Sequence, residues 1–216
     1  MDKILIVGGG DIAENGIKPL LGGTSVTKDD CDVRDYKSIE NLILKYKPET
    51  VICTAGISHV SNIKDSSVSE WKEELDINLL GSYQVAKASV NNGVKNMIFF
   101  ASVAGLYGKP EHSGYSASKA GVISLVQSLG MEGYNAYAIS AGRVHTKMRE
   151  KDFPNEDPKT RLLPQSVGGV IKEILNGKYT PGNNVIIRKR GYRILRRVDK
   201  GSGWSEYLRV GQPLVC

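Results

Sequence analysis

The sequence contains few cysteines, few aromatic residues and no long apolar run. The three cysteines, Cys31, Cys53 and Cys216, are odd in number and lack the spacing of a metal site, so we expect reduced structural thiols and no metal. Aromatic residues make up only 7% of the chain. No apolar segment approaches the roughly 18 residues of a membrane span, and no leader sequence is visible. We therefore expect a cytoplasmic globular protein.

Acidic residues are scarce only near the C-terminal end of the chain. The sequence has 29 basic and 23 acidic residues, a net charge of +6. Residues 188–209 contain eight Lys or Arg against Asp199 and Glu206, so the charges elsewhere balance. We interpret this basic segment first as a solvated or subunit-facing extension. Attraction of an anionic substrate ranks second, and nucleic-acid binding ranks third.

The first motif is a glycine turn that follows a short apolar segment. Residues 3–7 are nearly all apolar and β-branched, which predicts a buried strand. Gly8, Gly10 and Ala13 then form a G-x-G-x-x-A pattern that includes Ile12. Such glycines let the backbone approach a pyrophosphate at a helix N-terminus. We assign these four residues to dinucleotide binding, against the alternative of a tight turn without a ligand.

The next strand-helix unit is short and bears on the choice of cofactor. After one helix, ending near Leu21, there is room only for a brief strand at 24–27. An acidic residue at the end of that strand would select NAD by binding the ribose hydroxyls. Here the residue directly after the strand is Lys28, and Lys28 or Arg34 could neutralise a 2′-phosphate. The pattern slightly favours NADP over NAD.

The central motif lies after a second apolar segment, residues 97–100. Ser102 follows that segment, and Tyr115 and Lys119 are four residues apart, which places both on one helix face. A nearby ammonium favours the phenolate and lowers the tyrosine pKa, while a serine hydroxyl can polarise a carbonyl. This set predicts a proton-transfer centre for an alcohol/carbonyl couple. A packed tyrosine with a solvated lysine is the alternative.

With these motifs, residues 3–191 resemble the short-chain dehydrogenase/reductase family, with a shortened second unit. The resemblance implies that the carboxylate of Asp32, in the pair Asp32-Val33, meets the adenine; a helix cap from Asp32 is the alternative. It also implies that Asn78, within a helix predicted over 71–91, anchors a proton relay. Further cofactor contacts follow from matched positions: Ala55, Gly56, Val144 and Thr146. Three side chains are weaker candidates for substrate contact: His59, Arg143 and His145.

We therefore predict an α/β fold with a doubly wound parallel sheet, Rossmann-like, in one domain. The domain spans residues 1–191, its last strand lies at 184–188, a polar lid loop spans 147–164, and 192–216 form a basic extension.

The predicted activity is NAD(P)-dependent interconversion of an alcohol and a carbonyl on a small polar or anionic substrate. Tyr115 would be the acid/base, Lys119 would bind the nicotinamide ribose, and Ser102 would hold the substrate oxygen. The alternatives are a nucleotide-sugar epimerase or dehydratase with tightly held cofactor, and a non-catalytic dinucleotide-binding protein. By the same resemblance we expect a homodimer or homotetramer, and no membrane partner.

Overall fold

The computed structural model describes residues 3–190 and 193–199. A single seven-stranded sheet runs through it in the order β2-β1-β3-β4-β5-β6-β7. The strands are β1 (Ile4–Val7), β2 (Thr24–Val26), β3 (Thr50–Cys53), β4 (Asn96–Phe100), β5 (Ala136–Ala141), β6 (Asn184–Arg190) and β7 (Arg193–Asp199). The first six are parallel, and β7 is antiparallel to β6.

Two of the helices are interrupted by π-helical segments. The α-helices are α1 (Gly10–Ile12), α2 (Lys18–Leu21), α3 (Tyr36–Tyr46), α4 (Val68–Glu74), α5 (Gly81–Asn91), α6 (Ser113–Met131), α7 (Lys147–Asp152) and α8 (Pro164–Leu175). The π segment Ala13–Ile17 joins α1 to α2, and Leu75–Leu80 joins α4 to α5. Within the described residues, no helix has both the length and the apolar character needed to cross a bilayer.

The strands are apolar on both faces because helices cover the sheet on both sides. Leu5 and Val7 of β1 belong to one buried cluster, which α3, α5 and α6 complete. Ile4 and Ile6 belong to the other, which includes Ile17 and much of α8. Alternate residues of a strand point to opposite faces, so each strand contributes to both clusters. The predicted doubly wound sheet is confirmed.

The strand order places a crevice beside β1. The chain passes from β1 to β2 on one side and then returns to β3 on the other, so β1 lies between them. In doubly wound sheets, ligands bind where the strand order reverses, outside the carboxyl ends of the strands. Here those ends lead into the glycine turn at 8–10 and the segment 54–56.

Two predictions about the C-terminal part were wrong. The strand predicted at 184–188 is not the last, because β7 pairs with β6 along its whole length. Only two residues separate these strands, which permits antiparallel pairing without a crossover. The segment 147–164 is not wholly irregular either, since α7 begins at Lys147 and Thr146 accepts a hydrogen bond from the Arg149 amide. Residues 200–216 of the predicted extension lie outside the described residues.

Candidate active site

The glycine turn is packed closely on one side and open on the other. A Cβ on Gly8, at φ 122°, would lie 2.3 Å from the backbone nitrogen of Ala55, whereas one on Gly10 would meet nothing within 4 Å. The Thr54 hydroxyl donates to the carbonyls of Val7 and Gly9 at 3.3 and 3.2 Å. The turn is thus held against β3 while its open side, at the N-terminus of α1, faces a cleft that suits a pyrophosphate.

Gly8→Ala and Gly10→Ala form a matched pair that tests this packing. Both residues have positive φ, so each substitution introduces backbone strain of about 1–2 kcal/mol. Only Gly8→Ala also forces a backbone clash with Ala55, and overpacking costs about a further 1–3 kcal/mol. We expect urea unfolding to show a clearly larger loss of stability for Gly8→Ala. Equal losses would contradict the close approach.

A cleft of about 390 Å³ extends from the glycine turn to the start of α6. It brings together ten of the residues selected from the sequence: Gly8, Gly10, Ile12, Gly56, Ser102, Tyr115, Lys119, Arg143, Val144 and Thr146. The others do not line it: Ala13, Lys28, Asp32, Val33, Ala55, Asn78, His59 and His145.

The residues outside the cleft have identifiable contacts. The carboxylate of Asp32 receives bonds from the Arg34 guanidinium, the shortest at 2.6 Å, and these bonds lower its pKa. The alternative that Asp32 caps the following helix is wrong, because Asp35 is the N-cap of α3 and accepts from the Lys37 amide. Capping geometry requires the residue directly before the helix, and the helix begins at Tyr36.

Both candidate histidines are held by carboxylates. The backbone amide of His59 donates to Glu74 at 2.8 Å, and its ring Nε2 lies 3.2 Å from Glu73. The ring of His145 lies 3.3 Å from Glu150. Substrate contact by either histidine remains a prediction that the cleft geometry does not support.

Ser102, Tyr115 and Lys119 converge because β4 ends where α6 begins. Ser102 follows β4 by two residues, and its hydroxyl accepts a hydrogen bond from the Ala104 amide at 3.1 Å. Tyr115 occupies the first turn of α6 and Lys119 the next. The Lys119 ammonium is buried, lies 5.6 Å from the centre of the Tyr115 ring and donates to the Phe100 carbonyl at 2.8 Å.

The pKa of Tyr115 is shifted in the direction opposite to the expectation that Lys119 lowers it. Burial raises the pKa of Tyr115, a shift that Ser102 opposes and the carboxylates of Asp152 and Glu74 reinforce. Burial also lowers the pKa of Lys119 to about 8. The Lys119 ammonium donates to the Phe100 carbonyl and faces the tyrosine ring. This geometry accounts for the absence of the expected lowering of the Tyr115 pKa.

The depressed pKa of Lys119 makes stability depend on pH in a defined direction. Between pH 8 and about 10.4, the lysine value in an unfolded chain, the unfolded state binds more protons. Stability therefore rises with pH across this window, by at most about 1.4 kcal/mol per unit. We expect Lys119→Met to remove this rise, and the exposed Lys87→Met to retain it. Parallel unfolding free energies for wild type and Lys119→Met from pH 8 to 10 would contradict the shift.

Asn78 lies beneath the cleft at the centre of a hydrogen-bonded junction. It is fully buried in the π segment between α4 and α5. Its amide nitrogen donates to the Ile57 carbonyl and to Ser118 Oγ, both at 3.0 Å, and its oxygen accepts from the Ile57 amide at 2.8 Å. A Cβ on Gly56 would lie 3.2 Å from both Asn78 Oδ1 and Lys119 Nζ. The two side chains therefore meet behind the same backbone.

Several residues of the site were missed by the sequence interpretation. Arg149 lies over the Phe153 ring, which stacks on His112, and these three form one wall of the cleft. Lys109 lines the same side. The sequence held one indication of these four residues. Two lie between Ser102 and Tyr115 and two follow Thr146, and segments that follow strands reach the carboxyl edge of the sheet, where ligands bind.

Glu74 was also missed, because a glutamate within a helical pattern predicts a solvated side chain. It is buried, accepts from the His59 amide and lies against Gly114, where a Cβ would clash with its carboxylate. Burial raises its pKa. It connects the segment after β3 to the first turn of α6.

The fold and the site define an α/β protein with a glycine-turn crevice and a Ser-Tyr-Lys set beside it. The short chain dehydrogenase family model matches residues 14–157, and the chain belongs to this family of oxidoreductases.

Curated relatives and solved structures support this membership. The 2-dehydro-3-deoxy-L-rhamnonate dehydrogenase (NAD(+)) of Sphingomonas sp. (strain SKA58) is 40% identical over 125 residues, 56% of this chain and 47% of that protein. The 3-oxoacyl-[acyl-carrier-protein] reductase FabG of Rickettsia bellii is 27% identical over 156 residues, covering 68% and 65%. A 4-hydroxyisoleucine dehydrogenase complexed with NADH superposes with TM-score 0.67 and 25% identity, over 88% of this chain and 98% of that one. The chain matches about half to two thirds of the length of these curated relatives.

Proposed function

We propose that this protein is an NAD(P)-dependent oxidoreductase that interconverts an alcohol and a carbonyl. The observation that carries the proposal is the convergence of Ser102, Tyr115 and Lys119 on the cleft that begins at the glycine turn. A merely structural tyrosine and lysine would not require a serine hydroxyl and an open cleft at the same place.

The residues present fit a nicotinamide dinucleotide. Gly8 and Gly10 would admit the pyrophosphate, Gly56 places no side chain beside Lys119, and Val144 and Thr146 line the same cleft as Tyr115. For the adenosine end we propose NADP(H). Arg34 is engaged by Asp32, whereas Lys28 is exposed and has no hydrogen bond or ion pair among the described residues. Similar proteins are named with both forms of the cofactor, some with NAD(+) or NADH and one with NADP bound, so a titration of both forms is decisive.

In the proposed mechanism the protein positions the substrate and manages the proton. Ser102 would hold the substrate oxygen, and the Tyr115 hydroxyl would donate a proton to it in reduction or accept one in oxidation. Lys119, with a pKa near 8, would alternate between its two protonation states and compensate the charge on Tyr115. Asn78 would hold the backbone of Ile57 and, through Ser118, helix α6 in position beneath them. The bound dinucleotide supplies or accepts the hydride.

The test is a carbonyl panel with NADH and NADPH. We expect saturable oxidation of the reduced cofactor with at least one polar carbonyl, and a lower KM for NADPH than for NADH. Cofactor that co-purifies tightly and shows no net oxidation with any carbonyl would instead support an epimerase or dehydratase. Dinucleotide binding without either reaction would support a binding protein.

We also propose that the chain self-associates through the helices beside the site. The α4–α5 helix packs on α6, and it exposes a group of large apolar side chains: Val68, Trp71, Leu80 and Tyr83. A contiguous exposed apolar patch marks an interaction surface, and we propose that these side chains form one. Sedimentation at micromolar concentration is expected to give a dimer or tetramer, and a monomer would contradict the proposal.

A further inference from the structure

Lys109 is a cation of the cleft that no carboxylate of the described residues pairs with directly. It lies between Ser102 and Tyr115 in the chain, is half-buried and lines the same cleft as Tyr115. Among the described residues its ammonium group forms no hydrogen bond or salt bridge. Burying a charged group is unfavourable unless a counter-charge compensates it.

Further basic side chains surround Lys109, so this part of the cleft has an excess of positive charge. Its pKa is lowered by burial and then by the guanidinium groups of Arg149, Arg143 and Arg188, and the carboxylate of Glu156 opposes them. That carboxylate is already shared, because it pairs with Arg149, with Arg143 at 3.1 Å and with Arg161 at 3.1 Å. Arg161 also pairs with Glu150 at 3.5 Å, so two carboxylates serve three guanidiniums before Lys109 is considered.

Two acidic residues also line the cleft. Asp11 is at the dinucleotide end, where its carboxylate accepts from the Lys147 amide at 2.7 Å. Asp152 lies at the other end, near Tyr115. Against them the lining contains five basic residues: Lys109, Lys119, Arg143, Lys147 and Arg149. The excess of positive charge remains on the wall formed by residues 109, 143 and 149.

We propose that Lys109 and Arg143 form a subsite that binds the anionic group, carboxylate or phosphate, of the substrate. The inference rests on the proposed function, because it assigns the substrate class of the same cleft. Lys109 would supply a point charge on the lining of the cleft that also holds Tyr115. Arg143 is exposed at the mouth and offers a planar fork suited to a bidentate anion.

The first experiment compares a carboxylate substrate with its neutral ester. Turnover is measured with acetoacetate and with methyl acetoacetate for wild type, Lys109→Met and Lys151→Met. Lys151 lies exposed on α7 outside this cleft, so its variant controls for the loss of one rim charge. We expect Lys109→Met to reduce the acid-to-ester ratio of kcat/KM about tenfold or more, because a charge-assisted contact is lost. An unchanged ratio, or an equal fall in Lys151→Met, would overturn the subsite.

The second experiment does not depend on turnover. Binding of malonate and of inorganic phosphate is measured calorimetrically, with and without saturating dinucleotide, for wild type and Lys109→Met. We expect the variant to bind at least one of the two anions about tenfold more weakly, and the preferred anion distinguishes carboxylate from phosphate. Equal affinities would overturn the subsite. Lys109-dependent anion binding without carbonyl reduction would support the subsite while refuting the proposed function.

Discussion

Replacing Tyr115 by phenylalanine is expected to lower kcat by roughly 10²- to 10⁴-fold, the range typical of a lost general acid/base. The substitution removes one oxygen and leaves the ring in place against His112 and Lys119. Packing and the shape of the cleft are therefore retained. Only the proton donor beside Ser102 is lost, so the dinucleotide Kd is expected to change little.

Tyr137→Phe is the matched control for this change. Tyr137 is buried in β5 and belongs to the cluster on the other face of the sheet, outside the cleft. The comparison measures kcat with the best carbonyl of the panel and dinucleotide affinity by fluorescence titration. Wild-type turnover in Tyr115→Phe, or an equal loss in Tyr137→Phe, would exclude Tyr115 as the acid/base.

Replacing Asn78 by leucine is expected to reduce the free energy of unfolding more than any other substitution described above. Leucine is close to asparagine in size but cannot pair with the Ile57 amide, the Ile57 carbonyl or Ser118. Each buried group left unpaired costs about 1–3 kcal/mol, so a loss of roughly 2–6 kcal/mol follows from the two backbone groups. Activity is expected to fall as well, because the backbone beside Lys119 is no longer held.

Asn92→Leu provides the comparison for Asn78. Asn92 is an exposed C-cap residue of α5, and its side chain makes one hydrogen bond, to the Ala88 carbonyl at 2.8 Å. We expect its substitution to cost about 1 kcal/mol in urea unfolding. Similar losses for both variants would show that the junction at Ile57 contributes no more than an ordinary surface cap.

The sequence alone determined the sheet and the two ends of the cleft. Apolar segments such as residues 3–7 and 97–100 predicted strands, because β-branched residues and apolar character on both faces are properties of the segment itself. The glycine pattern and the four-residue spacing of Tyr115 and Lys119 are equally local. The structure places each of these motifs at the carboxyl edge of the sheet, as the resemblance to the family implied.

Only the tertiary structure decided which charges act on one another. The burial of Glu74 against Gly114 and the cationic surroundings of Lys109 depend on residues distant in the chain. The addition of β7 to the sheet has the same origin, because its basic sequence indicated an extension and pairing with β6 is a contact between strands. A local pattern specifies how a segment folds, whereas desolvation and Coulomb interactions depend on what the fold brings within a few ångströms.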